Sequence, residues 1–508
     1  VYKKFLYIKN LIDLYEKSIS ESSENQELFT LGLVYDQGFY VDHDVKKAIH
    51  YYSLAANQNN SEAQFNLGEI YQQENDISKA MHYFSLAANQ NNADALFKLG
   101  VIYDEGTFIT RDINKAIHYY LLASNLNHPD AQCNLGVFYD EGTDIPRDVD
   151  KAIRYYSLAA DQNHSEAQTN LGFIYHQGLG VRKDINLAIH YYSLAAVQNH
   201  PDAQFNLGVI YDEGDEVPRD FKKALYYYSL AAEQKHPKAQ FNLGIAYDQG
   251  IDVPRDINKA IRYYLGAANQ GHSDAQFNLA IIYEYGVDIL KDPSKAIYYY
   301  YLAAKQGHSI AQYNLGLIYY HGLYVKRDIQ KAIYFTSLAA DQGYVDAQYN
   351  LGIIYRQGID VPRNINKAIH YYSLAANQNH PQAQNNLGVI YDKGIDIPRD
   401  VKKAIYYYTL ASKQNYVNAQ YNLGAIYEKD KDIPRDVTKS IYYYSLAAKQ
   451  NNSSAQYNLG FIYFDSIPCD INHALHYFQL AAEQNHKSAQ YCIGVIYDEG
   501  IHVRHDVN

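Results

Sequence analysis

An asparagine stands two residues before a recurring small residue at Asn66, Asn134, Asn170, Asn206, Asn242, Asn278, Asn314, Asn350, Asn386, Asn422 and Asn458. A ladder of primary amides presents donors and acceptors at a regular interval, which is what the backbone of an extended peptide requires of a receptor. The same amides could instead tie one structural unit to the next, and the sequence leaves both uses open. Three residues before the small residue lies an aromatic: Phe65, Phe97, Phe205, Phe241 or Phe277 in the first half, and Tyr313, Tyr349, Tyr421, Tyr457 or Tyr491 in the second. On an open face these rings form an apolar strip for a partner; under a neighbouring unit they are core. Cys133, Thr169 and Asn385 interrupt the strip, and Glu69 interrupts the apolar position just after the small residue. Such breaks are the places where partner specificity is expected to be stored.

Other residue patterns do not converge on chemistry. The 20 histidines fall mainly on one polar helix face (His50, His118, His190, His370) and in a turn (His128, His164, His200, His236, His272, His308, His380). One histidine per repeat, without a second ligand at helical spacing, does not make a zinc site. The acidic stretch Asp212, Glu213, Asp215, Glu216 lacks EF-hand spacing and reads as a solvated loop. No GxSxG, P-loop, HExxH, CxxC or full GxGxxG occurs, and like residues recur evenly where an active site needs unlike ones together. The expectation is therefore no catalysis, no cofactor and no metal. Net charge is −12, with 44 basic residues dispersed among 56 acidic ones, which argues against nucleic acid as a partner. Cys133, Cys469 and Cys492 are too few and too scattered to staple a secreted domain, no apolar run is long enough to span a membrane, and no signal pattern opens the chain. The cytoplasm fits, or the ER lumen if a segment ahead of Val1 has been removed. Oligomeric state cannot be read.

The elements that position these residues follow from a 36-residue period. Leu-Gly recurs with glycine at 32, 68, 100, 136, 172, 208, 244, 316, 352, 388, 424 and 460, with Ala280 and Gly494 in the same frame, and a tyrosine always follows three residues later. This gives 14 copies, the last incomplete. In the copy Ala203-Gln204-Phe205-Asn206-Leu207-Gly208-Val209-Ile210-Tyr211, residues 203, 207, 210 and 211 share one helical face, while Phe205 and Val209 lie opposite. This helix A is apolar on two sides and must pack between neighbours. Gly208 is expected to admit the close approach of another backbone. Asp212-Glu213-Gly214 ends helix A, and an aspartate opens helix B, as at Asp112, Asp148, Asp184, Asp220, Asp256, Asp328, Asp400 and Asp436. Helix B buries an arc such as Ala48, Tyr52, Ala55 and Ala56, and a short turn such as Asn199-His200-Pro201 leads to the next helix A. One such pair cannot shield its own apolar faces, so the chain is expected to be an all-α solenoid superhelix of about 14 antiparallel pairs, with helix A lining the concave side. Residues 1–27 read as an N-terminal helix, either a degenerate cap or the end of an upstream domain, and 28–508 as the array, cut off within its last copy.

The pattern Ala-x-x-x-Leu-Gly-x-x-Tyr, a Gly/Asp loop, then Lys-Ala-x-x-Tyr-Tyr-x-x-Ala-Ala resembles the Sel1-like repeat, a relative of the tetratricopeptide repeat. The resemblance spans residues 28–508 and departs from the usual motif in carrying Tyr-Tyr for Trp-Tyr. It implies a protein-binding scaffold or adaptor, holding partner proteins or extended peptide segments along the concave surface; tetratricopeptide domains use an asparagine at the place of the Asn66 series. Two alternatives come with the family: a regulatory repeat region beside a catalytic domain such as a protein kinase, and a hydrolase resembling the cysteine-rich bacterial branch, whose paired cysteines are missing here.

Overall fold

Most repeats are punctuated by two left-handed residues and two caps. Gly214, at φ +68°, ends one helix A, where a residue with a Cβ would be strained. The chain then returns so that the Asp220 N–H donates to the Tyr211 carbonyl at 2.9 Å, and the Asp220 carboxylate accepts from the Lys223 N–H at 3.1 Å to start helix B. After helix B the turn places Asn199 at φ +62° and its counterparts Asn91, Asn127, Asn163 and Asn379 likewise; asparagine tolerates this conformation better than most residues. Thus much of the chain's asparagine serves turns.

The computed structural model describes residues 12, 14–19, 24–394, 396–466 and 468–498. Helices alternate A, B, A, B from Asn25–Gln37 and Val45–Asn57 to Ile471–Glu483 and Lys487–Asp498, with no strand among the described residues. The chain forms two compact units, Val1–Ala267 and Ala268–Asn508, each an α-solenoid of stacked helix pairs. Within both, A helices pack on their own B helix and on the preceding one, as Pro201–Glu213 and Pro381–Lys393 do, and successive A helices touch, as Pro129–Glu141, Ser165–Gln177 and Pro201–Glu213 do in the first unit and Pro381–Lys393, Val417–Lys429 and Ser453–Phe464 in the second.

The core is one small set of residues repeated. Ala203, Leu207 and Ile210 of helix A are buried with Ala224, Tyr228, Ala231 and Ala232 of helix B. Gly208 differs from expectation in what it admits: a Cβ there would stand 2.5 Å from Tyr228 Cδ1, so the approaching group is a tyrosine ring and not a backbone. The same ring-over-glycine contact recurs at Gly32 with Tyr52, Gly136 with Tyr156 and Gly388 with Tyr408. The other helix-B tyrosine stacks on the tyrosine that follows the glycine by three: Tyr211 and Tyr227 lie 6.0 Å apart and 6° from parallel, with the Lys223 ammonium 4.7 Å over the Tyr211 ring. The tyrosine-rich composition is therefore mostly inter-helix packing.

At the N-terminus, the Glu16 carboxylate accepts from the hydroxyls of Tyr35 and Tyr51 and pairs with Lys47 Nζ at 2.8 Å, joining this segment to the first repeat. Phe5, Ile8 and Leu11, part of the expected N-terminal helix, lie outside the described residues, as does the end of the array beyond Asp498.

Candidate protein-binding face

The asparagine row lies beside the buried stripe of the A helices. Asn66, Asn134, Asn170, Asn206, Asn242, Asn278, Asn314, Asn350, Asn386, Asn422 and Asn458 are all half-buried. Several are committed to the fold. Asn66, Asn314 and Asn458 donate from Nδ2 to the hydroxyls of Tyr52, Tyr300 and Tyr444 in the preceding B helix, at 3.1, 3.4 and 2.9 Å. Asn350 donates instead to the Tyr313 hydroxyl at 2.9 Å and Asn422 to Asn385 Oδ1 at 3.2 Å, both in the preceding A helix. The amides of Asn170 and Asn206 make no side-chain hydrogen bond among the described residues. The row thus mixes inter-repeat bonds with uncommitted amides.

The tyrosine hydroxyls that receive these bonds also meet an acid four residues after the glycine. Tyr52 donates to Asp36 at 3.1 Å and Tyr444 to Glu428 at 2.9 Å. Burial, and then the nearby carboxylate, push these phenols up, so they remain donors at any physiological pH. Where His176 or Arg356 replaces the acid, the hydroxyls of Tyr192 and Tyr372 are left without a partner among the described residues. Burial lifts Tyr372 to about 12, with the nearby Arg356 guanidinium pulling the other way.

The aromatic strip is half-buried, neither open nor sealed. Phe205 and Phe277 each tilt against a buried tyrosine, Tyr228 at 5.9 Å and Tyr300 at 6.0 Å. Each also stacks on the histidine that caps the next A helix, His236 at 4.7 Å and His308 at 4.5 Å. Tyr349 packs against Tyr372 and His380, Phe241 against Tyr264, and Tyr313 against Tyr344. In the last described A helix, Tyr491 is 74% exposed. The breaks in the strip are covered: Cys133 is 2% exposed, and Thr169 and Asn385 7% each. Burial pushes the Cys133 thiol up, away from the reactive thiolate. The position just after the glycine is the more open one, with Phe173 45% and Phe461 42% exposed. Glu69, at that position, is paired at 2.8 Å with Lys98 of the next repeat, which stands where other repeats have the asparagine.

The structure adds two features that the asparagine count concealed. First, the glutamine of most Ala-Gln pairs is buried and donates to the last turn of the preceding B helix: Gln168 Nε2 to the Ala160 carbonyl at 3.1 Å, Gln204 to Ala196 at 3.2 Å, Gln312 to Ala304 at 3.0 Å. Its Oε1 in turn accepts from a turn glutamine of the next repeat, Gln198, Gln234 and Gln342 respectively, at 2.8, 2.8 and 2.7 Å. Two glutamines 30 residues apart, recurring at most junctions, were the available signal. Second, the turn histidines are N-caps. His164 Nδ1 accepts from the Ala167 N–H at 3.2 Å, while Nε2 faces Asp130 of the preceding repeat at 3.1 Å. On the loop edge, arginines of the Pro-Arg-Asp segment bridge forward, Arg111 to Asp144 and Arg219 to Asp252, each at 2.8 Å. The acidic loop residue Glu216 pairs with Lys183 at 2.7 Å.

Comparison with known proteins was made on this geometry. The family pattern "Sel1 repeat" matches 13 consecutive segments, from 28–60 to 453–486. A solved structure described as c5321, a protective antigen present in uropathogenic Escherichia coli strains displaying an SLR fold, is 32% identical, covers 80% of this chain and 88% of its own, and superposes with a TM-score of 0.64. A Sel1 repeat protein from Oxalobacter formigenes is 32% identical over 61% of this chain and 90% of its own, with a TM-score of 0.49. No curated protein sequence matches the chain. Among the described residues no helix is long and apolar enough to cross a membrane.

Proposed function

Because the chain belongs to the Sel1 repeat family, we propose that it is a non-catalytic scaffold that holds extended segments of other proteins against the A-helix face of each unit. The observation that carries this reading is the pairing, at one repeat spacing, of a half-buried amide with a partly exposed apolar side chain, as in Asn170 with Phe173 and Asn206 with Val209. An extended backbone needs hydrogen-bond partners at intervals and pockets for alternate side chains, and this face supplies both. Asn170 and Asn206 are the sites at which a binding role separates from a structural one, since their amides hold no neighbouring repeat.

The test starts from proteins captured by the purified chain and identified by mass spectrometry. The strongest binder is then titrated against wild type and the double variant N170A/N206A. Losing two amide bonds of about 1 kcal/mol each weakens binding by roughly tenfold or more, with helical circular dichroism and unfolding midpoint unchanged. Equal affinity for both proteins would refute the role assigned to this face.

A further inference from the structure

In the B helices, one position carries the ring that lies over the helix-A glycine, or over Ala280 in the case of Tyr300, and it is Tyr52, Phe84, Tyr120, Tyr156, Tyr192, Tyr228, Tyr264, Tyr300, Tyr372, Tyr408, Tyr444 and Phe478 in turn. Among the described residues the single departure is Thr336, which approaches Gly316 with a hydroxyl where its neighbours bring a ring. The fold does not collapse onto the missing volume. A cavity of about 180 Å³ remains, with Gly316, Ile354 and Thr336 as its buried floor and Leu317, Asn350 and Ile353 at its partly exposed rim on the A-helix face. Apolar cavities near 150 Å³ are known to take up a benzene ring.

We propose that this cavity is a receptor for the phenol ring of a tyrosine side chain presented by a bound protein segment. The neighbouring repeats supply the template. In each of them a phenol fills the homologous space, and the Tyr300 ring illustrates how it is held: it is fully buried, and Asn314 of the next repeat donates to its hydroxyl at 3.4 Å. The counterpart of Asn314 here is Asn350, which lines the cavity and spends its Nδ2 on the Tyr313 hydroxyl. Its Oδ1 has no bond among the described residues and is placed to accept from an incoming hydroxyl. The exposed His321 adds a second polar group at the rim. An incoming ring enters from the A-helix face, so the occupant comes from outside the helix pair. This inference rests on the scaffold reading and narrows it to one side chain of the bound segment.

The probe is p-cresol, the tyrosine side-chain analogue, followed by saturation-transfer NMR on the full chain, with toluene as the apolar control. Wild type is expected to bind p-cresol at millimolar Kd and several-fold more tightly than toluene. Thr336→Tyr, which restores the repeat's own ring, abolishes the signal and raises the unfolding midpoint. If that variant fails to fold, Leu317→Trp closes the rim from the groove side and serves in its place. Absence of p-cresol binding, or equal binding after Thr336→Tyr or Leu317→Trp, overturns the receptor; equal binding of toluene overturns its preference for a phenol. None of these outcomes involves a partner protein, so the cavity can fail while the scaffold reading, tested at Asn170 and Asn206, stands.

Discussion

Replacing Gln168 with alanine tests whether the buried glutamines hold the repeats together. Gln168 is fully buried, gives its Nε2 hydrogen to the Ala160 carbonyl at 3.1 Å and receives one from Gln198 at 2.8 Å. The Ala160 carbonyl keeps a second donor, the Asn163 N–H at 2.9 Å, so its loss is at the mild end, about 1 kcal/mol. The exposed Gln198 regains water and loses little. Removing one methylene and the amide from a closed site adds a packing and cavity loss of about 1–2 kcal/mol. The total is about 2–3 kcal/mol at one junction. In a linear array each junction contributes its own nearest-neighbour energy, so the loss is local. Hydrogen exchange is the assay: amides of Val149–Ala160 and Ser165–Gln177 should exchange roughly 30- to 150-fold faster, by about 1.4 kcal/mol per tenfold, while those of Asn25–Gln37 change far less. Gln198→Ala, on an exposed turn residue without core contact, should still cost about 1 kcal/mol, because it orphans the buried Gln168 Oε1. Unchanged exchange at the junction, or equal acceleration throughout the chain, would refute the account.

Three further outcomes follow from particular contacts. Gly388→Ala puts a Cβ 2.5 Å from the buried Tyr408 ring and should lower stability by about 1–2 kcal/mol in urea unfolding, overpacking exceeding the helix-propensity gain; Gly494→Ala, with nothing within 4 Å, should instead gain up to about 1 kcal/mol. Burial lowers the pKa of the N-cap residues His308 and His380 below the ordinary 6.5. The unfolded chain therefore takes up protons first, and stability should be flat above pH 6.5, fall as pH drops from there through the lowered folded-state values, and do so less in H308N/H380N, where asparagine caps without titrating. Lys98→Glu places like charges beside Glu69 on a half-exposed face and should cost under about 1 kcal/mol, a deficit that added salt shrinks in thermal melts.

The fold was legible because a 36-residue period with apolar residues at helical spacing admits few solutions, and the aspartate caps fall where the sequence places them: Asp148 and Asp436 accept from the N–H groups of Lys151 and Lys439. The site was less legible, and the reason is geometric. Periodicity assigns a residue to a helix face but not to the neighbour that covers it. Phe205 and Val209 were correctly placed opposite the main stripe, yet only the stacked His236 ring decides that Phe205 is half-covered. The sequence places His236 in a turn and no more; its cap to Ala239 and its contact with Asp202, 34 residues earlier, depend on stacking between repeats. Gly208 was read as a backbone contact because the sequence shows that space is needed, not what fills it.

The same geometry bears on where a partner could read one repeat from another. Gln168, Gly172 and Leu171 are fixed by their neighbours and cannot vary without weakening a junction. Cys133, Thr169 and Asn385, which the sequence offers as breaks in the aromatic strip, are buried, and Asn385 spends its Oδ1 on Asn422. A bound chain can sense these three only through what they allow their neighbours to do. The position after the glycine is different: it follows the asparagine by three residues, it is half-buried or exposed in the described repeats, and it ranges from Glu69 through Val209 and Leu317 to the exposed rings of Phe173 and Phe461. On the proposed scaffold reading, recognition in an array built from nearly identical parts rests on positions whose substitution leaves the junctions intact. On that reading the condition favours the exposed rings of Phe173 and Phe461, the uncommitted amides of Asn170 and Asn206, and the repeat whose B helix carries Thr336 in place of the core ring.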